Sequence, residues 1–231
     1  MEMGISVRGQ MDIAAKKNEL ETAKLETIGR IVAASNASIF CKVGKINAIY
    51  KPIAGERPLW DFQEGHLAFR EVATYLVSNA LGIYCVPPTI LREGPFGLGS
   101  LQLWIDDVEA VGERYLEKSP ELRKIALLDA VVNNTDRKIG HLLYKDGEVF
   151  GCDHGVTFHK DYKLRTVLWQ FADQPLNKHE IEILSNFDCN LDELLNDAEI
   201  EALHERIANL LQEGKFPLPP TDWPAIPWPP V

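Results

Sequence analysis

The sequence predicts an α+β protein of two unequal parts, a β-rich first half followed by a helical second half. Three observations carry that expectation. Short runs rich in β-branched and aromatic residues crowd residues 28–53. Ser119-Pro120 opens an apolar-periodic stretch with a helix-capping residue followed by a proline where a helix tolerates it best. Asp146-Gly147, set between LLY and VF, is a strong hairpin signal. The division expected is a lead-in over 1–27, a β-rich lobe with one helix over 28–105, a helical lobe over 106–215, and a proline- and tryptophan-rich tail over 216–231.

Taken in order, the lead-in is polar with scattered apolar positions and predicts a short surface helix or loose segment. IGRIVAA, SIFCKV and INAIYKPI predict three strands, the last two joined by a tight turn at Gly44-Lys45. Residues 67–81 predict a helix stopped by Gly82. Two further strands follow Pro87-Pro88, separated by the GPFGLG turn and ending in SLQLWI. In the second half, Leu122, Ile125, Ala126, Asp129 and Val132 share one helical face, which puts a carboxylate on an apolar stripe. Helices are also expected near 178–185 and 191–212. The tail holds seven of the 14 prolines and two of the five tryptophans, so it is neither helix nor central strand.

Composition narrows the function. The chain has 231 residues, is 45% hydrophobic and carries a formal charge of −10. That acidic balance argues against a general nucleic-acid or anionic-membrane binder, both of which need excess Lys and Arg. No apolar run approaches the roughly 20 residues that cross a bilayer, and the N-terminus lacks the apolar core of a secretory signal. Cys41, Cys85, Cys152 and Cys189 form no CxxC pair, so a reducing cytoplasm is the expected setting.

The stretch 127–159 carries the chemistry. A two-residue turn at Asp146-Gly147 makes opposite residues sum to 293, so Leu143 faces Phe150 and Gly140 faces Asp153. His141 and Asp153 then meet at the open end of the hairpin, where the loop bearing Asn134, Asp136 and Arg137 also arrives. Two carboxylates flanking a polar loop suit phosphate and divalent-metal chemistry, one orienting a hydroxyl and one holding the ion. A cation for the phosphates is available at Lys51 in the run INAIYKPI, and Glu71 in the 67–81 helix is its natural partner.

The order of strand Lys, helix Glu, linker strand, acidic loop, hairpin and Asp resembles that of the kinase-like phosphotransferases. The chain resembles the phosphatidylinositol 3/4-kinase superfamily, and within it the type II phosphatidylinositol 4-kinases; it also looks like an uncharacterised bacterial kinase-like group. The likeness covers about residues 28–212 and is anchored on YKP at 50–52, IYCVPPT at 83–89, GSLQLWI at 99–105, LDAVVNNTDR at 128–137 and CDHG at 152–155. It implies a two-lobed protein-kinase-like fold that uses ATP with Mg²⁺ or Mn²⁺ to phosphorylate an alcohol. It further implies that Lys51 contacts the α/β-phosphates, that Glu71 pairs with it, and that backbone groups of Gln102, Leu103 and Trp104 bind the adenine edge. Asp136 would orient the acceptor hydroxyl, Arg137 would brace its loop, and Asp153 would hold the metal. Asn134 and Asp129 match structural positions ahead of that loop. Two departures stand out. The family's second metal-binding residue, an Asn, is His141 here, and imidazole suits Mn²⁺ better than Mg²⁺. The turn over the phosphates, AASNAS, lacks glycines; Ser35, Asn36 and Ser38 flank amides that can cradle phosphate, and a plain strand connection is equally compatible.

Two rival functions remain. His141, Asp153, His154 and His159 lie close in sequence, as in a metal-dependent hydrolase, and His141 would also suit a weak or inactive nucleotide-binding pseudokinase. The acceptor is expected to be a soluble metabolite, an inositol-type compound or a protein, because a polybasic membrane-docking run is absent. The locally basic stretch His159, Lys160, Lys163 and Arg165 stands where kinase-like enzymes receive an acceptor. Trp223 and Trp228 are expected to pack the tail onto the helical lobe; the alternative is a proline-rich ligand for a protein partner. The cluster GERPLWDF over 55–62 is expected to pack beside the nucleotide site.

Overall fold

A computed structural model describes residues 7–31, 36–62 and 65–231, with side chains from residue 13 onward. The lead-in is a helix, α1 (Val7–Thr22), followed by β1 (Leu25–Arg30), β2 (Ile39–Val43) and β3 (Ile46–Pro52). β1 therefore begins three residues ahead of the predicted run, and α1 is longer than a surface turn. Next come α2 (Leu67–Ala80), β4 (Thr89–Gly94) and β5 (Gly97–Leu103), which complete an antiparallel sheet of order β1-β2-β3-β5-β4. The second part holds α3 (Pro120–Val132), the hairpin β6 (Leu142–Lys145) and β7 (Glu148–Gly151), then α4 (Lys178–Ser185) and α5 (Asp197–Glu213).

Strand alternation divides the large sheet into two faces. Cys41, Val43, Ala48, Tyr50 and Leu101 point to one face, where Leu20 of α1 completes a fully buried cluster. α1 has little amphipathic signal of its own and is held by its surroundings. Arg92 of β4 donates to the carbonyls of Leu20 and Ala23 at the helix C-terminus, and the Glu19 carboxylate accepts the Lys45 N–H at 2.6 Å. The opposite face carries Phe40, Ile49 and Lys51, with Gln102 paired across from Ile49 and Ser100 across from Lys51.

Local chemistry explains the helix ends. Ser119 accepts the Leu122 N–H at 3.2 Å, as its capping signature predicts. α4 and α5 both start on reciprocal capping boxes, Asn177 with Glu180 and Asn196 with Glu199. The second box sets the start of α5 at Asp197, six residues later than the expected 191. α2 ends at Gly82, whose φ of 68° is the left-handed turn that favours glycine.

α2 follows the β-rich part in sequence but does not pack only there. Its residues Ala73, Tyr75 and Val77, with Leu81 just past its end, belong to the same buried core as Leu122, Ile125 and Leu128 of α3 and Leu203 and Ile207 of α5. Its opposite side meets β4 and β5. The neighbouring Arg70 forms a buried ion pair with Glu199 of α5 and donates to the Thr157 carbonyl at 2.7 Å. This one helix thus ties the sheet to the helical lobe. Among the described residues, no helix is long and apolar enough to cross a membrane.

Candidate active site

The hairpin register matches the one the Asp146-Gly147 turn predicts, from Lys145 opposite Glu148 to Leu142 opposite Gly151. The pairing continues one step to the Cys152 N–H, which donates to the His141 carbonyl at 3.0 Å. Asp153 follows in the left-handed conformation, φ 58°, which Asp tolerates better than most residues. Its carboxylate lies 2.8 Å from Lys51 Nζ and 3.4 Å from His141 Nε2. Lys51 also ion-pairs with Glu71, which is almost completely buried on α2. Gly155 lets this segment approach α2 closely: a Cβ there would stand 3.2 Å from that of Leu67.

The electrostatics follow from these contacts. Burial opposes charge on Lys51, but the Asp153 and Glu71 carboxylates outweigh it and hold the ammonium above its ordinary pKa. Lys51 in turn holds Asp153 well below the usual carboxylate range. Burial lowers His141 to about 4, so its ring is neutral. Its Nδ1 accepts the Lys138 N–H at 3.5 Å, which leaves the ring proton on Nε2, facing Asp153.

Asp136 lies in the same cavity as Lys51 and Asp153, a space of about 430 Å³. Burial raises its pKa despite the opposing pull of Lys138, whose Nζ is 3.1 Å from the carboxylate. Lys138 lines the cavity too and is absent from the residues the sequence points to. Its signal is the D-R-K spacing, which sets a second cation two residues beyond the acid.

Below the loop lies a buried polar knot. Asp129 and Arg137 are both fully buried and joined at 2.9 Å. Asp129 also accepts from Asn134 Nδ2 at 2.9 Å and Thr166 Oγ1 at 3.2 Å. The Asn134 side-chain oxygen accepts the Asp136 N–H at 3.0 Å. Arg137 reaches the Cys152 carbonyl at 2.9 Å and His154 Nε2 at 2.7 Å. The carboxylate on the apolar stripe of α3 is therefore the anchor that couples the Asp136 loop to the Asp153 turn.

The other expected site residues fare differently. Asn36 and Ser38 line the cavity; Ser35 lies outside the described residues. The Ala37 N–H is committed to the Gly55 carbonyl at 3.2 Å, which removes one donor from the expected phosphate cradle. Gln102 lies within β5 with its side chain on Thr89. The N–H groups of Leu103 and Trp104 are bonded to the carbonyls of Pro88 and Asn47. The sheet therefore uses both of these N–H groups. The indole of Trp104 meets Phe40 edge-on, with centroids 5.2 Å apart. His154 is buried on Arg137, and His159 stacks edge-on with Phe62. Among the described residues, no three His, Cys, Asp or Glu side chains gather to hold one metal ion. The segment 55–62 does lie beside the site: Glu56, Arg57, Pro58 and Leu59 line the cavity.

The tail returns across the helical lobe. Pro230 accepts the Ile139 N–H at 2.8 Å, and Ala225 accepts from the Thr166 N–H at 3.1 Å and the Trp169 indole at 2.8 Å. Trp223 packs against Lys163 and Arg165. Trp228, expected to pack as well, is instead 89% exposed.

The chain matches no family model. It is 36% identical to Protein Rv2133c of Mycobacterium tuberculosis, over 91% of this chain and 93% of that one. The chain belongs to the family of Rv2133c. The chain is also 29% identical to phosphatidylinositol 4-kinase gamma 4 of rice, over 64% of its own length but only 31% of the rice protein. Solved structures agree on the architecture at low identity. The Golgi casein kinase with Mn/ADP bound superposes with a TM-score of 0.60 at 14% identity, covering 88% of this chain and 75% of the other. Hydra Fam20 gives 0.58 at 14% identity, with coverages of 91% and 90%. The Helicobacter pylori kinase CtkA gives 0.51 at 13% identity, with coverages of 85% and 94%. The Rv2133c-family chain thus has a two-lobed, kinase-like α+β fold.

Proposed function

We propose that the protein is an ATP- and divalent-metal-dependent phosphotransferase acting on an alcohol. One observation carries the proposal: Lys51 joins Glu71 and Asp153 in a cavity that Asp136 also lines. The Mn and ADP named for the Golgi casein kinase structure support the choice of ligands, and the partial match to the rice phosphatidylinositol 4-kinase supports the chemistry.

The residues present fit such ligands. The Asp153 side chain is half exposed and keeps acceptor lone pairs beside Lys51. Asp153 would hold the ion, which when bound neutralises phosphate charge. His141 in its present tautomer donates toward Asp153 and would steady that carboxylate; direct ligation requires the proton to move to Nδ1. Lys51 would bind the α/β-phosphates, with Glu71 fixing its direction. Phe40, Ile49 and Trp104 offer apolar surface for the base. Asp136 would take the proton of the acceptor hydroxyl as its oxygen bonds the γ-phosphorus and the bond to the β-bridging oxygen breaks, leaving ADP. Its raised pKa suits that role, and Lys138 stands ready to meet the transferring phosphoryl group. Arg137 would act through the loop it braces.

A second proposal, a weak or inactive nucleotide binder, rests on His141 at the place of an amide ligand. Calorimetry of ATP with Mg²⁺ or Mn²⁺ on the wild type, Lys51→Ala and Asp153→Ala tests the nucleotide site. Wild-type binding lost in both variants is expected; equal binding by all three, or by none, overturns it. Phosphoryl transfer abolished by Asp136→Ala separates the enzyme from the inactive binder.

A further inference from the structure

Kinase-like enzymes can take an extended protein segment or a compact molecule as acceptor, and the two need different surroundings. An extended segment needs an open edge beside the acidic loop. Here that edge is occupied by the chain itself. The backbone beside Asp136 bridges to the segment after Asp153, Arg137 lying parallel to Thr166. The outward N–H groups of Ile139 and Thr166 are taken by Pro230 and Ala225 of the tail. Two cations of the basic stretch expected to receive an anionic acceptor are occupied as well. Lys163 lies between the rings of Trp60 and Trp223, 5.1 and 5.3 Å from their centres, and 3.5 Å from Asp61. Arg165 donates to the Thr135 carbonyl at 2.6 Å beneath Trp223.

What stays open is the cavity on the side of Lys51 away from the Trp104 end of the sheet. Its roof is built from two loops fastened together: the Arg57 N–H donates to Asn36 Oδ1 at 2.9 Å, and Glu56 caps α2 through the Ala68 N–H at 2.8 Å. Of the cations lining it, Lys51 is paired with Glu71 and Asp153 and Lys138 with Asp136, and the proposed reaction assigns both to the phosphates of ATP. Arg57 is exposed, lines the same space and has no ion-pair partner among the described residues. A guanidinium so placed presents a fork of donors to a phosphate or carboxylate.

We infer that this end of the cavity receives a small, soluble alcohol bearing a phosphate or carboxylate, whose charge Arg57 binds, while the docked tail closes the site to extended peptides. The inference rests on the phosphotransferase proposal and names its substrate class. The transfer is the one already written: the acceptor's own hydroxyl oxygen gains the phosphoryl group, its proton goes to Asp136, and ADP leaves.

The test uses the full chain loaded with ADP and Mn²⁺, with glycerol 3-phosphate as the anionic alcohol and glycerol as its neutral counterpart. Calorimetry is expected to show glycerol 3-phosphate binding to the loaded protein, no binding of glycerol, and a loss of at least about tenfold in Arg57→Gln. The affinity of that variant for ADP should stay within about twofold of wild type. Arg57 is exposed, so the variant is expected to fold, and an unchanged melting curve verifies it. Glycerol 3-phosphate binding that is absent, or equal in the two proteins, overturns the inference, as does an ADP affinity that falls in step. Transfer of labelled phosphate from ATP to a mixture of serine- and threonine-containing peptides by the wild type would overturn it independently. Failure of ADP itself to bind the wild type would instead count against the phosphotransferase proposal.

Discussion

Asp129→Asn is the sharpest probe of how this site is held. The substitution preserves shape and removes one charge from a pair whose members are both fully buried. Asp129 accepts from Arg137 Nε and Nη2, from Asn134 and from Thr166. An asparagine presents one acceptor oxygen and turns an NH₂ group toward donors. Arg137 is then left as a buried cation without a counter-charge, which costs about 3–5 kcal/mol. For a chain of this size each kcal/mol shifts Tm by roughly 2–4 °C, so thermal unfolding should fall by roughly 6–20 °C. Because the pair is sealed from solvent, raising the salt to about 1 M should leave that difference nearly unchanged. Replacing both partners by apolar residues should not restore stability fully, since Arg137 also satisfies the Cys152 carbonyl. A fall of less than about 3 °C, or a difference that salt erases, would refute the assignment of Asp129 and Arg137 as the anchor.

Three further outcomes are expected. Glu199→Gln removes the charge that holds Arg70 of α2; it should cost about 2–3 kcal/mol in denaturant unfolding and weaken nucleotide binding, because Glu71 sits on the same helix. Ending the chain after Leu218 deletes three hydrogen bonds to the tail, worth about 1 kcal/mol each, and should lower Tm by roughly 6–12 °C; an unchanged melt would mean that the tail is only loosely laid on. Burial raises the Cys85 thiol to about 11 and the Tyr144 phenol to about 12. Both groups stay protonated longer in the folded chain than in the unfolded one, so their stabilisation is complete below about pH 9 and is lost as pH climbs toward 11–12. Urea melts across that range check the slope, and Cys85→Ala should flatten its first part.

Several parts of the molecule are legible in the sequence because local chemistry decides them. A two-residue turn pins hairpin register, so Asp146-Gly147 alone is enough to bring His141 and Asp153 together. Ser119 and Gly82 mark helix ends through bonds made within a few residues. The pairing of Lys51 with Glu71 follows from the order of elements together with a family resemblance, since neither residue alone differs from a solvated charge.

Other parts depend on contacts across long sequence separations. α1 carries almost no pattern of its own; Arg92, some seventy residues later, supplies the partners for its last carbonyls. Lys163 and Arg165 have the composition of an open basic loop, and the returning Trp223, with Trp60 on the far side of Lys163, covers them. Gln102-Leu103-Trp104 ends a strand-like run that the family resemblance alone marks as a linker, and Pro88 and Asn47 take the N–H groups of its last two residues. Local chemistry written in the chain is thus enough for the α+β class, the hairpin and the acidic pair that frames the site. The tertiary structure decided which cations and backbone donors are left for a ligand, because a buried charge or a sheet N–H is consumed by whichever partner the fold brings within bonding distance.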